Sequence, residues 1–315
     1  MALFNREYRL LIGTPGRDGI EINDLRIVFS ANASLSKSSN EATIRVYNLA
    51  SSTSDTFEIG QVVQLQAGYT GQIAPIVTGD LIRIEEFLEG VDRVCELTVN
   101  DSLIALRDSK TSQSFAPGTK GSTVLAAVAA NFGLPVRQNI TNGDTQLPAG
   151  YAFTGRTRNA LTEICEFLGL EWSAQQVEIQ IINKGSSFDK SAVVLEAGSG
   201  LIGTPKQHAK SMSDKKAARR GITYGQDGVR RYTKTNPEAK IKNRVQFEVQ
   251  GYEASALMNA ALYPGAYVKL ICRATGEQGK FFVIDECTYN GDTHGDAWQV
   301  DLVLLYPKDV KQNGK

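Results

Sequence analysis

Residue types that enzymes use to bind metals or to attack substrates are scarce in this 315-residue chain. It has only two histidines, His208 and His294, and four cysteines that lie far apart, with no Cys-x-x-Cys pair. A zinc site needs several such ligands close together, and a Ser-His-Asp or Cys-His centre needs a histidine beside a nucleophile turn. Neither histidine has such a neighbour in sequence. The composition therefore argues against an enzyme, and we expect no cofactor and no metal.

Long apolar runs and an excess of one charge are also missing. No run approaches the ~20 apolar residues of a membrane span, and the N-terminus carries charges where a secretion signal needs an apolar core. The formal net charge is +0, so the whole chain has no bulk attraction to nucleic acid or to an anionic membrane. Most of the cysteines lie in apolar-periodic segments, as small buried residues do. We expect a soluble protein, made in a reducing cytoplasm, with no membrane partner.

In the first third of the chain, apolar and polar residues alternate. Five short segments show the period of two that is typical of strands, with turn residues such as Gly71, Gly90 and Asp92 between them. They are 25–30, 42–47, 62–67, 80–85 and 94–99. Many short, closely spaced strands predict a sandwich or a small barrel over residues 1–104.

The period changes to that of helices between about 105 and 184. Val124, Val128 and Phe132 fall on one helical face, which Ser122 or Thr123 would cap at its start and Gly133 would end. A second helix carries Leu161, Ile164, Cys165 and Leu168 and ends at Gly169. Each helix precedes a short extended segment, at 134–136 and 170–173. This region is predicted to be a small α/β domain.

Strands return from 185 to 315, and there the sequence repeats itself. The pattern Gly60-x-x-Val63-x-Leu65 recurs as Gly265-x-x-Val268-x-Leu270. The strand before it, 42–47, would correspond to 245–250, and a final strand opens at Asp92 in one copy and at Asp296 in the other. Matching order and spacing across four strands predict a duplicated β module. The predicted fold is mainly β, with two tube-like β-barrel domains and a small α/β domain between them.

A basic segment, which we call the basic arm, covers residues 206–244. Twelve lysines and arginines stand there against three acidic residues, and large apolar side chains are few, which predicts a long loop. Such a segment could bind phosphates or an acidic surface on a partner protein. The candidate contact residues are Lys215, Lys216, Arg219, Arg220, Arg230 and Arg231.

Three patterns that mimic functional motifs have structural explanations. The glycines of Gly198-x-Gly200-x-x-Gly203 match a dinucleotide fingerprint, but Thr204-Pro205 follows where a helix should continue, so a turn between strands is favoured. The metal-like segment 290–296 lies between two alternating strands and is typical of a hairpin turn. Adjacent Glu85 and Glu86 would point to opposite faces of a strand and cannot flank one bond of a substrate.

Several segments together resemble the baseplate hub proteins of contractile-tailed bacteriophages, the family also called late control protein D or tail hub proteins. No single segment is specific, and the resemblance depends on their order and on their coverage of most of the chain. They are 22–29, 40–49, 60–69, 115–121, 200–205, 257–265 and 291–298. The basic arm departs from the family, because many relatives have only a short connection there.

This resemblance implies a structural protein of a virion tail baseplate, assembled in the host cytoplasm. A homotrimer would present six β modules in a ring, and so would join the sixfold tail tube to the threefold central spike. Its partners would be the tube protein, the spike protein and other baseplate proteins. DNA and the tape measure protein would contact its channel transiently during DNA ejection. The domains would be 1–104, 105–184 and 185–315, with the basic arm in the third.

Two other functions remain open on the sequence alone. One is a nucleic-acid-binding module that acts through the basic arm, where Tyr224 and Tyr232 could stack on bases. The other is a tail-associated cell-wall hydrolase, although the chain has no surplus region for a lytic domain.

Overall fold

The computed structural model describes residues 5–14, 16–35, 40–101, 108–141, 145–175, 178–183, 192–211, 223–224, 230–231 and 247–307. The fold is mainly β, with 59% of the described residues in strands and 12% in helices. This confirms the predicted fold class. The strands of both β modules join into a single 13-stranded sheet, so the two modules share one sheet.

The first module contains seven of these strands and one short helix, α1 (Ser51–Ser54). Their order across the sheet is β3-β4-β7-β6-β5-β1-β2, and all neighbours are antiparallel. The strands are β1 (Arg6–Gly13), β2 (Ile20–Ile22), β3 (Ile27–Ser34), β4 (Glu41–Tyr47), β5 (Val62–Tyr69), β6 (Gln72–Glu89) and β7 (Asp92–Asn100). Every strand predicted from the alternation is present, and β6 is much longer than its segment indicated.

The second module repeats this order with later strands. Its order is β14-β17-β20-β19-β18-β13, and β13 runs parallel to β18. The strands are β13 (Ala192–Leu195), β14 (Leu201–Ser211), β17 (Phe247–Leu257), β18 (Tyr267–Cys272), β19 (Glu277–Asp292) and β20 (Trp298–Leu305). Between β14 and β17, the pair β15 (Thr223–Tyr224) and β16 (Arg230–Arg231) forms a separate antiparallel ladder.

Five strands of one module have an equivalent strand in the other. β3, β4, β7, β6 and β5 occupy the places of β14, β17, β20, β19 and β18. A register shift interrupts β6 between Leu81 and Arg83 against β7, and β19 has the same shift between Ile284 and Glu286 against β20. A shared irregularity at one position fixes the alignment of the two copies. The duplication predicted from the glycine pattern is therefore present in the structure.

One detail of the predicted repeat and the predicted start of the basic arm are wrong. The register of β17 on β20 matches the register of β4 on β7 when 252–257, and not 245–250, corresponds to 42–47. The basic arm does not begin at 206, because 206–211 continue β14 and pair with β17. An alternating polar strand can carry lysines as easily as a loop does, so charge alone did not mark the boundary.

The α/β module consists of two helices and five strands. A hairpin of β8 (Lys110–Phe115) and β10 (Tyr151–Arg156) accompanies a three-stranded sheet in which β12 (Glu178–Asn183) pairs with β9 (Val136–Asn139) and with β11 (Leu170–Gln175). The helices are α2 (Gly121–Ala129), extended by a 3-10 turn, and α3 (Thr157–Leu168).

The ends of these two helices test the capping predictions. Gly133 and Gly169 end them in the left-handed conformation, with φ of 69° and 70°, as predicted. The predicted cap at Ser122 or Thr123 is wrong, because α2 already begins after Lys120, where no side chain caps the helix.

Two hydrophobic cores hold these parts together. One core is shared by both β modules, and the other lies inside the α/β module. All four cysteines are free; Cys95, Cys165 and Cys287 are buried, and Cys272 is partly exposed. Burial raises the pKa of the Cys95 thiol to about 11 and that of Cys287 to about 12, so these groups behave as small apolar side chains.

Candidate assembly interface

The junction between the two modules is formed by β3 and the outer half of β19. They pair antiparallel from Glu286 opposite Ser34 to Asp292 opposite Val28. On the solvent side, Ser30 Oγ donates a hydrogen bond to Asn290 Oδ1 at 2.9 Å, and Thr288 Oγ1 donates one to Asn32 Oδ1 at 2.7 Å. Side chains directly across an antiparallel pair meet on one face, so the register sets these contacts.

The buried side of the junction is closed by aromatic packing. Phe29 meets Trp298 edge to face, with 5.7 Å between ring centroids, and Trp298 Nε1 donates to the Gly68 carbonyl at 3.0 Å. Gly291 is required beneath Phe29, since a Cβ there would lie 2.2 Å from the ring. The edge of β3 is thus covered both by backbone pairing and by a packed core.

Arginines of the first module bind the turn between β19 and β20, residues 292–297. The Arg26 guanidinium contacts the Asp292 carboxylate at 2.8 Å and lies over the Tyr47 ring. Arg26, with backbone N–H donors of the turn, lowers the pKa of Asp292 to about 2. Arg6 donates to the backbone carbonyls of Asp292 at 2.9 Å, of Asp296 at 3.1 Å and of Gly295. The turn is therefore a structural contact, as its hairpin pattern predicted.

The solvent face of the sheet is polar and carries more acidic than basic groups across both modules. Ion pairs such as Arg45–Glu96 at 2.6 Å neutralise part of this charge, and Asn290 Nδ2 donates a hydrogen bond to Asp301 Oδ2 at 3.0 Å. The acidic side chains on this face include Glu41, Asp80, Glu85, Glu89, Asp92, Glu96, Glu253, Glu286, Asp292 and Asp301, and the basic ones include Arg9, Arg26, Arg45, Arg83, Lys206 and Lys269. One continuous surface results, with an excess of negative charge.

Among the strand edges without a partner strand in the described residues, two are equivalent to the edges that form the junction. One is the outer half of β6, residues 82–89, which pairs only with β7; the other is the side of β14 that faces away from β17. Large apolar side chains are exposed at both edges: Phe87 by 37%, Leu88 by 73% and Ile202 by 37%, with Val91 at 97% in the turn after β6. Unpaired edges with apolar side chains are typical of sites where another strand binds.

The residues that sequence patterns had singled out lie in several places. Glu85 and Glu86 belong to the open edge of β6, where Glu86 binds Arg93 at 2.6 Å. Of the six arm residues, Arg230 and Arg231 form β16, whereas Lys215, Lys216, Arg219 and Arg220 lie outside the described residues.

Gly198 and Gly200 fall in the turn before β14, and Gly203 lies within that strand. Gly200 and Gly203 have φ of 109° and 64°. A strand and not a helix follows the turn, so the prediction of a turn between strands is confirmed for Gly198 and Gly200, whereas Gly203 lies at an irregularity inside β14. His294 is an exposed residue of the hairpin turn. Across the described ranges, no cluster of three histidine, cysteine or acidic residues could hold a metal, and no helix is long and apolar enough to cross a membrane.

Comparison with known proteins gives matches only at the level of structure. No protein-family model matches the sequence, and no curated protein matches it either. A tail protein from Neisseria meningitidis superposes with a TM-score of 0.62 at 12% identity, covering 96% of this chain and 97% of that chain. The 43 kDa tail protein of prophage MuSo2 from Shewanella oneidensis gives a TM-score of 0.59 at 12% identity, covering 95% and 98%.

A third structure extends the likeness beyond phages. It is an E. coli component of the type VI secretion system, described as structurally similar to the T4 bacteriophage tail proteins gp27 and gp5. It superposes with a TM-score of 0.55 at 10% identity, covering 94% of this chain and 77% of that chain.

The chain has the fold of phage tail proteins. In this tail-protein fold, the residues of the junction and of the open strand edges were not evident from sequence patterns. Ser30 and Asn290 belong to ordinary alternating segments, and only the pairing of β3 with β19 brings them together. Leu88 also belongs to an alternating segment, and its exposure at the edge of β6 is evident only in the structure. One signal was available, since Leu88 and Val91 flank a turn glycine where polar residues are usual.

Proposed function

We propose that the protein is a structural hub of the baseplate of a phage tail or tail-like particle. As a homotrimer it joins the sixfold tail tube to the threefold central spike and forms part of the DNA channel. The observation that carries this proposal is the junction of two equivalent β modules, edge to edge, in one sheet. Three copies supply six equivalent modules, which is what an adaptor between threefold and sixfold symmetry requires.

The charge of the solvent face is consistent with a channel wall. DNA carries one negative charge per about 1.7 Å of its axis, and a basic wall would bind it and slow its passage. An acidic and hydrogen-bonded surface repels phosphates instead. We place this face toward the channel, and the tube protein, the spike protein and other baseplate proteins at the two ends of the ring. The role needs no chemical step, which fits the tail proteins that share the fold.

The test of the hub proposal is the mass and symmetry of the particle. Light scattering and sedimentation of the purified protein should give three chains, and electron microscopy of that species should show a ring with six similar lobes. The same stoichiometry should appear in assembled tails. A protein that is monomeric in solution and present in tails as one or six copies per ring would contradict the proposal.

The basic arm is proposed to lie outside the channel and to bind an acidic surface of a neighbouring hub subunit or baseplate protein. Inside the channel, the positive charge of the arm would bind DNA phosphates and slow the passage of DNA. Replacing Lys215, Lys216, Arg219 and Arg220 together with glutamine should impair tail assembly. Normal assembly with impaired DNA delivery would place the arm in the channel. Salt-dependent DNA binding of the isolated protein, lost in this variant, would favour the rival nucleic-acid function.

A further inference from the structure

The strand pairing that joins the two modules has an equivalent that does not form within the described part of one chain. β3 of the first module binds the outer half of β19 of the second. The equivalent of β3 is β14, and the equivalent of β19 is β6. Each of these two strands has an edge without a partner strand in the part of the chain that the structure describes. The same contact can therefore form once more, between β6 of one copy and β14 of another.

We infer that residues 84–89 of β6 pair antiparallel with β14 of an adjacent copy, in the register of the internal junction. This inference rests on the proposed trimer and names the surface that closes it. The register shifts that β6 and β19 share align residues 84–89 of β6 with 287–292 of β19. The pairing of β3 with β4 and of β14 with β17 aligns Lys206 with Ser30 and His208 with Asn32. Phe87 then lies opposite Lys206, as Asn290 lies opposite Ser30.

The charges of the two edges complement each other. Lys206 opposite Phe87 has Glu85 and Glu89 as its diagonal neighbours, within reach of a lysine side chain. His208 lies directly opposite Glu85, and its ring already contacts Glu253 at 2.9 Å within its own subunit. Two β6 edges facing each other would instead bring glutamates together, which disfavours that pairing. Attraction between the unlike edges and repulsion between like ones favour head-to-tail contacts, which a ring requires.

The exposed apolar residues gain contacts in the same arrangement. Leu88 corresponds to Gly291, which lies under Phe29 on the buried side of the internal junction. Phe87 and Ile202 become near neighbours on the solvent side. Val91 follows the turn glycine after β6 and would lie beside Gly200 of the adjacent copy. Gly200 leaves room for it, because the nearest atoms to a Cβ added at Gly200 belong to Leu257 of the same chain, at 3.7 Å or more. The turn before β14 thus serves the interface as well as the subunit.

The inference is testable by disulfide formation between copies. Backbone hydrogen bonds join Leu35 N to Asp285 O and Thr293 N to Ile27 O, so these residues form hydrogen-bonded pairs. Because hydrogen-bonded and non-hydrogen-bonded pairs alternate along antiparallel strands, Ser30 and Asn290 form a non-hydrogen-bonded pair. Cα atoms of such pairs lie about 4.5 Å apart, which suits a disulfide. In a Cys272→Ser background, Phe87→Cys with Lys206→Cys should give covalent dimers and trimers on mild oxidation, reversed by reductant.

Two further cysteine pairs serve as controls. Ser30→Cys with Asn290→Cys has the same geometry inside one chain and should give a disulfide-bonded monomer. Phe87→Cys with Gln207→Cys places the second thiol on the opposite face of β14 and should give no cross-link. In a separate variant without new cysteines, Lys206→Glu should lower the trimer fraction, and adding Glu85→Lys should restore it.

The outcomes separate this inference from the proposed function. Trimers by mass that do not cross-link through the Phe87–Lys206 pair, or that cross-link equally through Gln207, would overturn the strand pairing and leave the hub proposal standing. Absence of trimers at the highest soluble concentration and in assembled tails would refute the hub proposal and this inference with it. Cross-linked trimers that respond to the charge exchange support both.

Discussion

The ion pair between Arg26 and Asp292 allows a quantitative prediction about the internal junction. Asp292→Asn keeps an oxygen that can accept the backbone N–H of His294, which Asp292 Oδ1 accepts at 2.9 Å, but removes the charge that Arg26 binds. The loss of stability should therefore report the charge alone. The Asp292 side chain is only 14% exposed, whereas that of Arg26 is 38% exposed.

The size of the effect follows from the pKa of Asp292. Folding lowers this pKa from 3.8 to about 2. At about 1.4 kcal/mol per unit, this corresponds to about 2.5 kcal/mol of stability at pH 7 before screening by solvent at Arg26. We expect Asp292→Asn to lower the free energy of unfolding by about 1 to 2 kcal/mol at pH 7.

The pH dependence has a definite sign. Because the folded pKa is the lower one, the contribution is complete above the unfolded value and is lost as pH falls toward the folded value. The difference between wild type and Asp292→Asn should shrink by about half near pH 3. This difference in the free energy of unfolding is measured by urea unfolding, followed by circular dichroism at one protein concentration and at pH 7, 5 and 3.

A matched control is the pair Arg9–Glu21, which has a 2.6 Å contact but lies fully at the surface. Glu21→Gln should change stability far less than Asp292→Asn does. If the two substitutions have equal effects, or if the Asp292→Asn difference does not depend on pH, the reasoning from burial and charge at the junction is refuted.

Three further substitutions test the packing. Gly251→Ala should destabilise by about 3 kcal/mol in thermal unfolding, since a Cβ there would lie 1.7 Å from the Leu304 carbonyl oxygen; an unchanged melting temperature would contradict this. Trp298→Phe should cost about 1 to 2 kcal/mol in urea unfolding, because the buried Gly68 carbonyl loses its donor. His294→Asn should stay within about 0.5 kcal/mol of wild type, and stoichiometric metal found in wild type but lost in this variant would show that the turn is a metal site.

Local features of the fold could be predicted from the sequence. The alternation located β4, β5 and β7, and Gly133 and Gly169 ended their helices as predicted, because a left-handed residue is needed there whatever the helix packs against. These features depend on neighbours within a few residues. Such predictions succeed wherever the local preference and the tertiary structure agree.

The pairing of strands could not be predicted in the same way. The alternation of 245–250 resembles that of 42–47, yet the register on β20 makes 252–257 the equivalent segment. Register is set by the partner strand and the shared core, and a period of two fits several registers equally well. The candidate interface depends on such pairing at β3, β19, β6 and β14, so it became visible only in three dimensions.

The internal junction also constrains how the chain is synthesised and folded. Arg26 and Asp292 are separated by 266 positions, so the edge of β3 has no partner until nearly the whole chain has left the ribosome. Pairing between such distant segments is slow, and an uncovered strand edge in a nascent chain favours aggregation. Chains that end before β19 keep this edge exposed and become substrates for chaperones or proteases. In the proposed ring, the pairing of β19 with β3 would thus restrict assembly to copies in which both modules have folded.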